Sequence, residues 1–125
     1  MSMRTPVGRA RGLGSAKEGV AHWTAQRLSA VALALLTPWF VWLAIGLVGA
    51  DQALAAARLG APVNATLMLA YVGALLWHGQ LGLQVVIEDY VGNRGLELFA
   101  QVAVKLLFAL AGVAALVAIG RLAFA

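Results

Sequence analysis

Three runs of apolar residues, about Leu28 to Val48, about Val63 to Ile87 and about Leu98 to Leu122, take up most of the chain. Each exceeds the ~20 residues a helix needs to cross a hydrocarbon core of ~30 Å. In lipid only a helix satisfies its own backbone hydrogen bonds within one segment, so the pattern predicts an all-α membrane protein with three spanning helices. Thr37 and Pro38 interrupt the first run, and the backbone donor missing at proline predicts a kink. The stretch "GADQALAAARLGAP" predicts a short surface helix closed by Gly60, with Pro62 or Asn64 opening the second span. Gly92, Asn93 and Gly95 predict the turn into the third. Ser15 followed by Glu18 has capping-box spacing and predicts a helix start near Ala16, which carries His22 and Trp23 at headgroup level. Residues 1–14, with Arg, Gly and Pro scattered through them, read as a basic segment that is disordered or draped over a partner, and residues 15–125 as the three-helix transmembrane unit. No internal repeat is visible, which argues against a transporter built from duplicated halves.

Composition agrees with the pattern. Of the 125 residues, 62% are hydrophobic and 11% charged, too little charge to cover a soluble domain. Three helices enclose little core, so most of their surface must face lipid or other chains of a larger assembly. Cysteine is absent, which excludes disulfides, thiolate metal sites, Cys-held iron–sulfur clusters and a CxxCH haem attachment. Any cofactor must be held by His, by charge or by shape.

The net charge of +4 is placed unevenly. Arg4, Arg9, Arg11, Lys17 and Arg27 precede the first span against one acid, Glu18. Beside a membrane span such a head reads through the positive-inside rule rather than as a nucleic-acid arm, so no nucleic-acid partner is expected and the N-terminus is cytoplasmic. The loop around Asp51 to Pro62 then lies outside, the loop around Glu88 to Glu97 inside, and the C-terminus outside. Arg94 agrees with this topology; Arg58 does not. A bacterial inner membrane is the expected location, with the mitochondrial inner membrane as the alternative because a transit peptide is also Arg-rich and acid-poor. In the third span Glu97, Gln101 and Lys105 recur every four residues, a polar stripe read as solvated or partner-facing.

The chemistry concentrates in "WHGQLGLQVVIEDYVGNRG". At 100° per residue, Tyr71, Ala74, His78, Gly82, Val85 and Asp89 fall close to one line along the second span. His78 lies ~18 Å along the helix from Tyr90 and therefore deep in the bilayer. An imidazole there needs partners, and three uses compete: a haem-iron ligand, a proton relay, and a histidine merely hydrogen-bonded to a neighbouring helix. A haem ligand needs a small residue nearby so that a flat macrocycle can approach, which Gly82 supplies and Gly79 extends. A relay needs further titratable groups across the bilayer, and at this depth there are none. The other histidine, His22, lies at the interface, so a second axial ligand would come from another chain and the haem would sit between subunits. Asp89 and Tyr90 end the same span where it meets water: either ordinary interface residues, or a carboxylate-tuned hydroxyl donating to a quinone head group. Arg27 either pairs with lipid phosphate or neutralises a haem propionate and steadies a quinone.

"HGQLGLQVVIEDYV", preceded by "SAKEGVAHWTAQRLSAVAL", resembles the small hydrophobic membrane-anchor subunits of succinate dehydrogenase, respiratory complex II, in their alphaproteobacterial form. The resemblance covers roughly residues 12 to 100, and its most specific element is a His, a Gly four residues on, and Asp-Tyr eleven and twelve residues from the His. It implies a helical bundle completed by a second three-helix, cytochrome b-type anchor, with haem b shared between the two. His78 would be an axial ligand to the haem iron, Arg27 would lie near the propionates and the quinone pocket, and Tyr90 with Asp89 would bind ubiquinone near the cytoplasmic face. FAD and iron–sulfur clusters would belong to partner flavoprotein and iron–sulfur subunits, and this chain would carry no catalytic residue of its own. Glu88 and the basic head have no counterpart in the resemblance. The expected function is electron transfer from succinate to quinone in the tricarboxylic acid cycle and respiratory chain; the alternatives are a cofactor-free accessory subunit of another respiratory or transport complex, or a fumarate reductase anchor.

Overall fold

A computed structural model describes residues 5–10 and 19–124. Five helices follow one another: α1 (Pro6–Ala10), α2 (Gly19–Gly46), α3 (Gln52–Gly60), α4 (Pro62–Tyr90) and α5 (Arg94–Ala123). Among the described residues α2, α4 and α5 are long and apolar enough to cross a membrane, as the three apolar runs predict. Their helices extend beyond the apolar runs at several ends, because a helix continues into the headgroup layer where polar residues are tolerated. The Ser15–Glu18 capping box and the helix start expected near Ala16 lie outside the described residues. Within the segment expected to be irregular, Pro6 opens the single turn of α1, where its fixed φ suits a first helical position.

The helix ends follow from local chemistry. The Asp51 carboxylate caps α3 by accepting from the Leu54 N–H at 2.8 Å. Pro62 starts α4, and the Asn93 side chain caps α5 by accepting from the Leu96 N–H at 3.0 Å. Gly49, with φ of 76°, makes the left-handed turn that lets the chain leave α2. Arg58, the charge that fitted the topology badly, serves the fold instead, because its guanidinium donates to the Gly46 carbonyl and ties α3 to the end of α2. The Asn64 amide donates to the Arg58 carbonyl at 2.7 Å, which seats α4 against the same corner. The expected interruption at Pro38 does not end α2, which runs through it as one helix; Thr37 bonds back to the Leu33 carbonyl at 2.6 Å in that turn.

α4 is the central helix. It packs against α2 on one side and α5 on the other, while α2 and α5 do not meet among the described residues. Both pairings are antiparallel, as the partners show: Phe40 with Tyr71, Ser29 with His78, and Gly82 near Gln26 on the α2 side; Leu76 near Gly112, Gly79 near Phe108, and Glu88 with Gln101 on the α5 side. α3 lies across the far end, against α5 and α4, where the Gly60 Cα faces the Leu122 carbonyl so closely that no Cβ would fit. Little is buried: among the described residues Leu43, Ala65, Leu81 and Ile119 are the buried hydrophobic ones, and long apolar side chains such as Leu35, Trp42, Leu107 and Leu110 stand exposed. In water such a surface would aggregate; in a bilayer it meets acyl chains and partner helices.

Candidate functional site

The two sides of α4 differ in chemistry. Toward α5 the fit at the level of Gly79 is close and apolar: a Cβ on Gly79 would come within 3.1 Å of the Phe108 ring. Gly79 thus accommodates a neighbouring helix, and the sequence expectation that it adds clearance beside His78 for a ligand is corrected on this point. Its 100° offset from His78 turns it to the other face.

Toward α2, at the end where α4 stops, the two helices line a cavity of about 790 Å³, within the range that takes a cofactor-sized ligand. His78, Gly82, Val85 and Glu88 line it from α4; His22, Trp23, Gln26 and Arg27 line it from α2. Three residues singled out in the sequence, His78, Gly82 and Arg27, therefore share one cavity. Gly82 leaves its wall open, since an added Cβ would meet only the Gln26 amide nitrogen at 3.8 Å. The Arg27 guanidinium lies over the Trp23 ring, 5.5 Å from its centroid, a cation–π contact that holds the charge at the cavity's edge. Asp89 and Tyr90 are not brought into the lining. Both are exposed, Tyr90 at 84%, at the end of α4 directly after Glu88 of the cavity wall.

His78 bonds through Nδ1 to the Ser29 hydroxyl at 3.0 Å. Its Nε2 has no hydrogen-bond partner among the described residues. Two further polar atoms in the cavity wall, His22 Nε2 and Gln26 Oε1, are buried and also without partners. A buried polar atom left unpaired costs about 1–3 kcal/mol, so the two leave this wall with unmet bonding capacity.

His22, Gln26 and Ser29 were not singled out as site residues from the sequence. A signal was present: they stand at i, i+4 and i+7, one polar line along α2. At the open end Glu88 accepts from Gln84 at 2.8 Å and from Gln101 of α5 at 3.5 Å, and Gln101 also donates to Glu97 at 3.2 Å. Gln101 of the α5 stripe is thus turned toward α4, while Lys105 remains exposed.

These residues fit a haem. Among the described residues no three His, Asp or Glu side chains gather to hold a bare metal ion. One free imidazole nitrogen facing a roomy cavity with a glycine wall suits a metal that arrives in its own macrocycle, and Arg27 supplies a cation for carboxylate substituents at the rim.

Comparison with known proteins shows the family to which the chain belongs. Residues 1–120 match the family described as succinate dehydrogenase/fumarate reductase transmembrane subunit. The chain belongs to this family. It is 36% identical over 116 residues to the succinate dehydrogenase hydrophobic membrane anchor subunit of Rickettsia bellii, covering 93% of each chain. It is 38% identical over 86 residues to the corresponding subunit of Paracoccus denitrificans, covering 69% of this chain and 67% of that one. With the subunit of Rickettsia conorii the identity is 33% over 95 residues, covering 75% of each. No solved structure gives a significant match. As a member of this family the chain is a multi-pass membrane anchor subunit of a succinate dehydrogenase complex.

Proposed function

We propose that this chain anchors a succinate:ubiquinone oxidoreductase, shares a haem b with a second three-helix cytochrome b-type subunit, and helps form the ubiquinone site. The observation that carries the reading is the cavity between α2 and α4, where an imidazole with one nitrogen engaged and one free faces a glycine-walled space beside an arginine. The family covers both dehydrogenase and fumarate reductase subunits, and the relatives' names favour oxidation of succinate.

Each residue has a definite role on this reading. His78 would hold the haem iron through Nε2, and since His22 stands seven residues before Ser29, the residue opposite His78, ~10 Å further along α2 toward its start, a further imidazole would come from the partner anchor. Gly82 leaves room for the macrocycle's edge, and Arg27, braced on Trp23, neutralises its propionates. The haem, when bound, supplies a one-electron carrier between the soluble subunits and the membrane. At the end of α4 the Tyr90 hydroxyl donates to a ubiquinone carbonyl oxygen, and the Asp89 carboxylate beside it tunes and replenishes that proton. Reduction of a quinone takes up two electrons and two protons, so a donor at a water-facing helix end suits the chemistry. With the basic N-terminal segment cytoplasmic, this end of α4 faces the cytoplasm of a bacterial inner membrane, where flavoprotein and iron–sulfur subunits would dock and bring electrons from succinate.

The test is purification of the intact complex through a tag on this chain. Co-purification of a flavoprotein, an iron–sulfur protein and a second small membrane subunit, with b-type Soret and α bands on reduction, is the expected result. A complex of other composition, or one without b-type haem, would remove the reading.

A further inference from the structure

Ser29 is the buried polar residue of the described chain, at 2% exposure, and it ends the polar line of His22 and Gln26 along α2 where the helix turns apolar. Its hydroxyl has three polar neighbours: the Ala25 carbonyl at 2.9 Å, the Gln26 carbonyl at 3.1 Å and His78 Nδ1 at 3.0 Å. A hydroxyl carries one proton and two lone pairs. The two carbonyl oxygens only accept, so if the proton went to Nδ1 both would face a bare oxygen lone pair at hydrogen-bond distance in a medium of low dielectric. The arrangement without that repulsion sends the proton to the carbonyls of its own helix and takes a proton from Nδ1–H. That choice fixes the tautomer of the ring: Nδ1 protonated, Nε2 bearing the lone pair.

We propose that Ser29 is a positioning residue for His78, its hydroxyl oxygen accepting the Nδ1 proton so that Nε2 meets the cavity as an unprotonated, oriented electron-pair donor. The proposal rests on the haem reading above and deepens it. A ligating imidazole whose other N–H is held by an acceptor keeps its ring plane and gains basicity, and loss of such a partner commonly costs 10–100-fold in metal affinity. A more basic ligand favours the ferric form and lowers the midpoint potential; removing the acceptor raises it. Because Ser29 lies on α2 and His78 on α4, the same bond makes ligand orientation depend on the packing of these two helices.

The experiment compares the intact complex carrying wild-type chain, Ser29→Ala and Ser29→Thr. Haem retained per complex is measured after a chase with an apo-haem-binding protein, and the midpoint potential by spectroelectrochemical titration. Ser29→Ala is expected to lose haem at least tenfold faster and to shift the ferrous-to-ferric ratio at fixed ambient potential severalfold toward ferrous; a tenfold shift corresponds to about 59 mV for one electron. Ser29→Thr keeps the hydroxyl and should match wild type in both. If Ser29→Ala lowers the yield of complex, the potential is read on the haem that remains, since a residue that only packs α2 against α4 changes yield and leaves the potential in place. An unchanged potential and an unchanged haem loss in Ser29→Ala, with haem present in wild type, overturn the role of Ser29 and leave the haem reading standing. Absence of haem from wild type overturns both.

Discussion

The two faces of α4 each present a glycine to a neighbouring helix and use it differently. Two glycines three positions apart show it best: Gly79 abuts the Phe108 ring of α5, whereas Gly82 opens onto a cavity shared with α2. One absence of a side chain permits helix packing, the other leaves space. The α5 face thus supplies rigidity and the α2 face supplies polar atoms, among them His78, His22 and Gln26, with bonding capacity left over. Small residues in a membrane helix carry no fixed meaning until the neighbour opposite them is known.

The contrast breaks most visibly by exchanging what each glycine permits. Gly82→Phe should fill the cavity and cut haem per complex tenfold or more, while the chain still reaches the membrane at near wild-type level; haem content against immunodetected protein measures it. Gly79→Phe should do the reverse, forcing α4 from α5 at a cost of about 1–3 kcal/mol and lowering the amount of assembled complex, with haem per surviving complex nearly unchanged. Equal effects of the two changes would erase the distinction between the faces.

At the open end of the cavity, Tyr90→Phe should slow ubiquinone reduction by about 10²-fold, the usual scale for losing a positioned proton donor, while succinate oxidation by an artificial acceptor continues at the wild-type rate. Equal quinone rates in variant and wild type would confine Tyr90 to the interface. Arg27→Leu, which removes a rim charge and its contact with Trp23, should speed haem loss severalfold in the same chase assay without altering membrane insertion. The smallest effect belongs to the corner far from the site: Arg58→Ala, losing one bond to the Gly46 carbonyl, should cost about 0.5–1.5 kcal/mol and lower the thermal midpoint of the complex slightly while leaving its absorption spectrum intact.

Much of this architecture is written in the hydropathy of the chain. Apolar runs longer than a bilayer is thick leave little choice but spanning helices, and Asn93, Gly60 and Pro62 mark their ends because capping and φ restrictions act locally. The line through Tyr71, His78, Gly82 and Val85 was legible for the same reason, since helical periodicity alone puts them on one face, and that face meets α2. What periodicity cannot carry is the identity of the opposing residue. Ser29 is nearly neutral in hydropathy and sits among Ala and Leu, and its partner is 49 positions away. Gly79 could be read as ligand clearance until Phe108 stood against it. Arg58 looked like a topology signal gone astray because counting charges ignores that a guanidinium can cap a helix end.

The haem reading turns on the free nitrogen of one imidazole, and the most direct measurement is the low-spin absorption and electron paramagnetic resonance spectrum of the intact complex carrying His78→Ala beside His22→Ala. His78→Ala is expected to lose the six-coordinate low-spin haem signature, either with the haem or by conversion to a high-spin form, while His22→Ala keeps it. A low-spin spectrum identical to wild type in the His78 variant would contradict the assignment of His78 as an axial ligand.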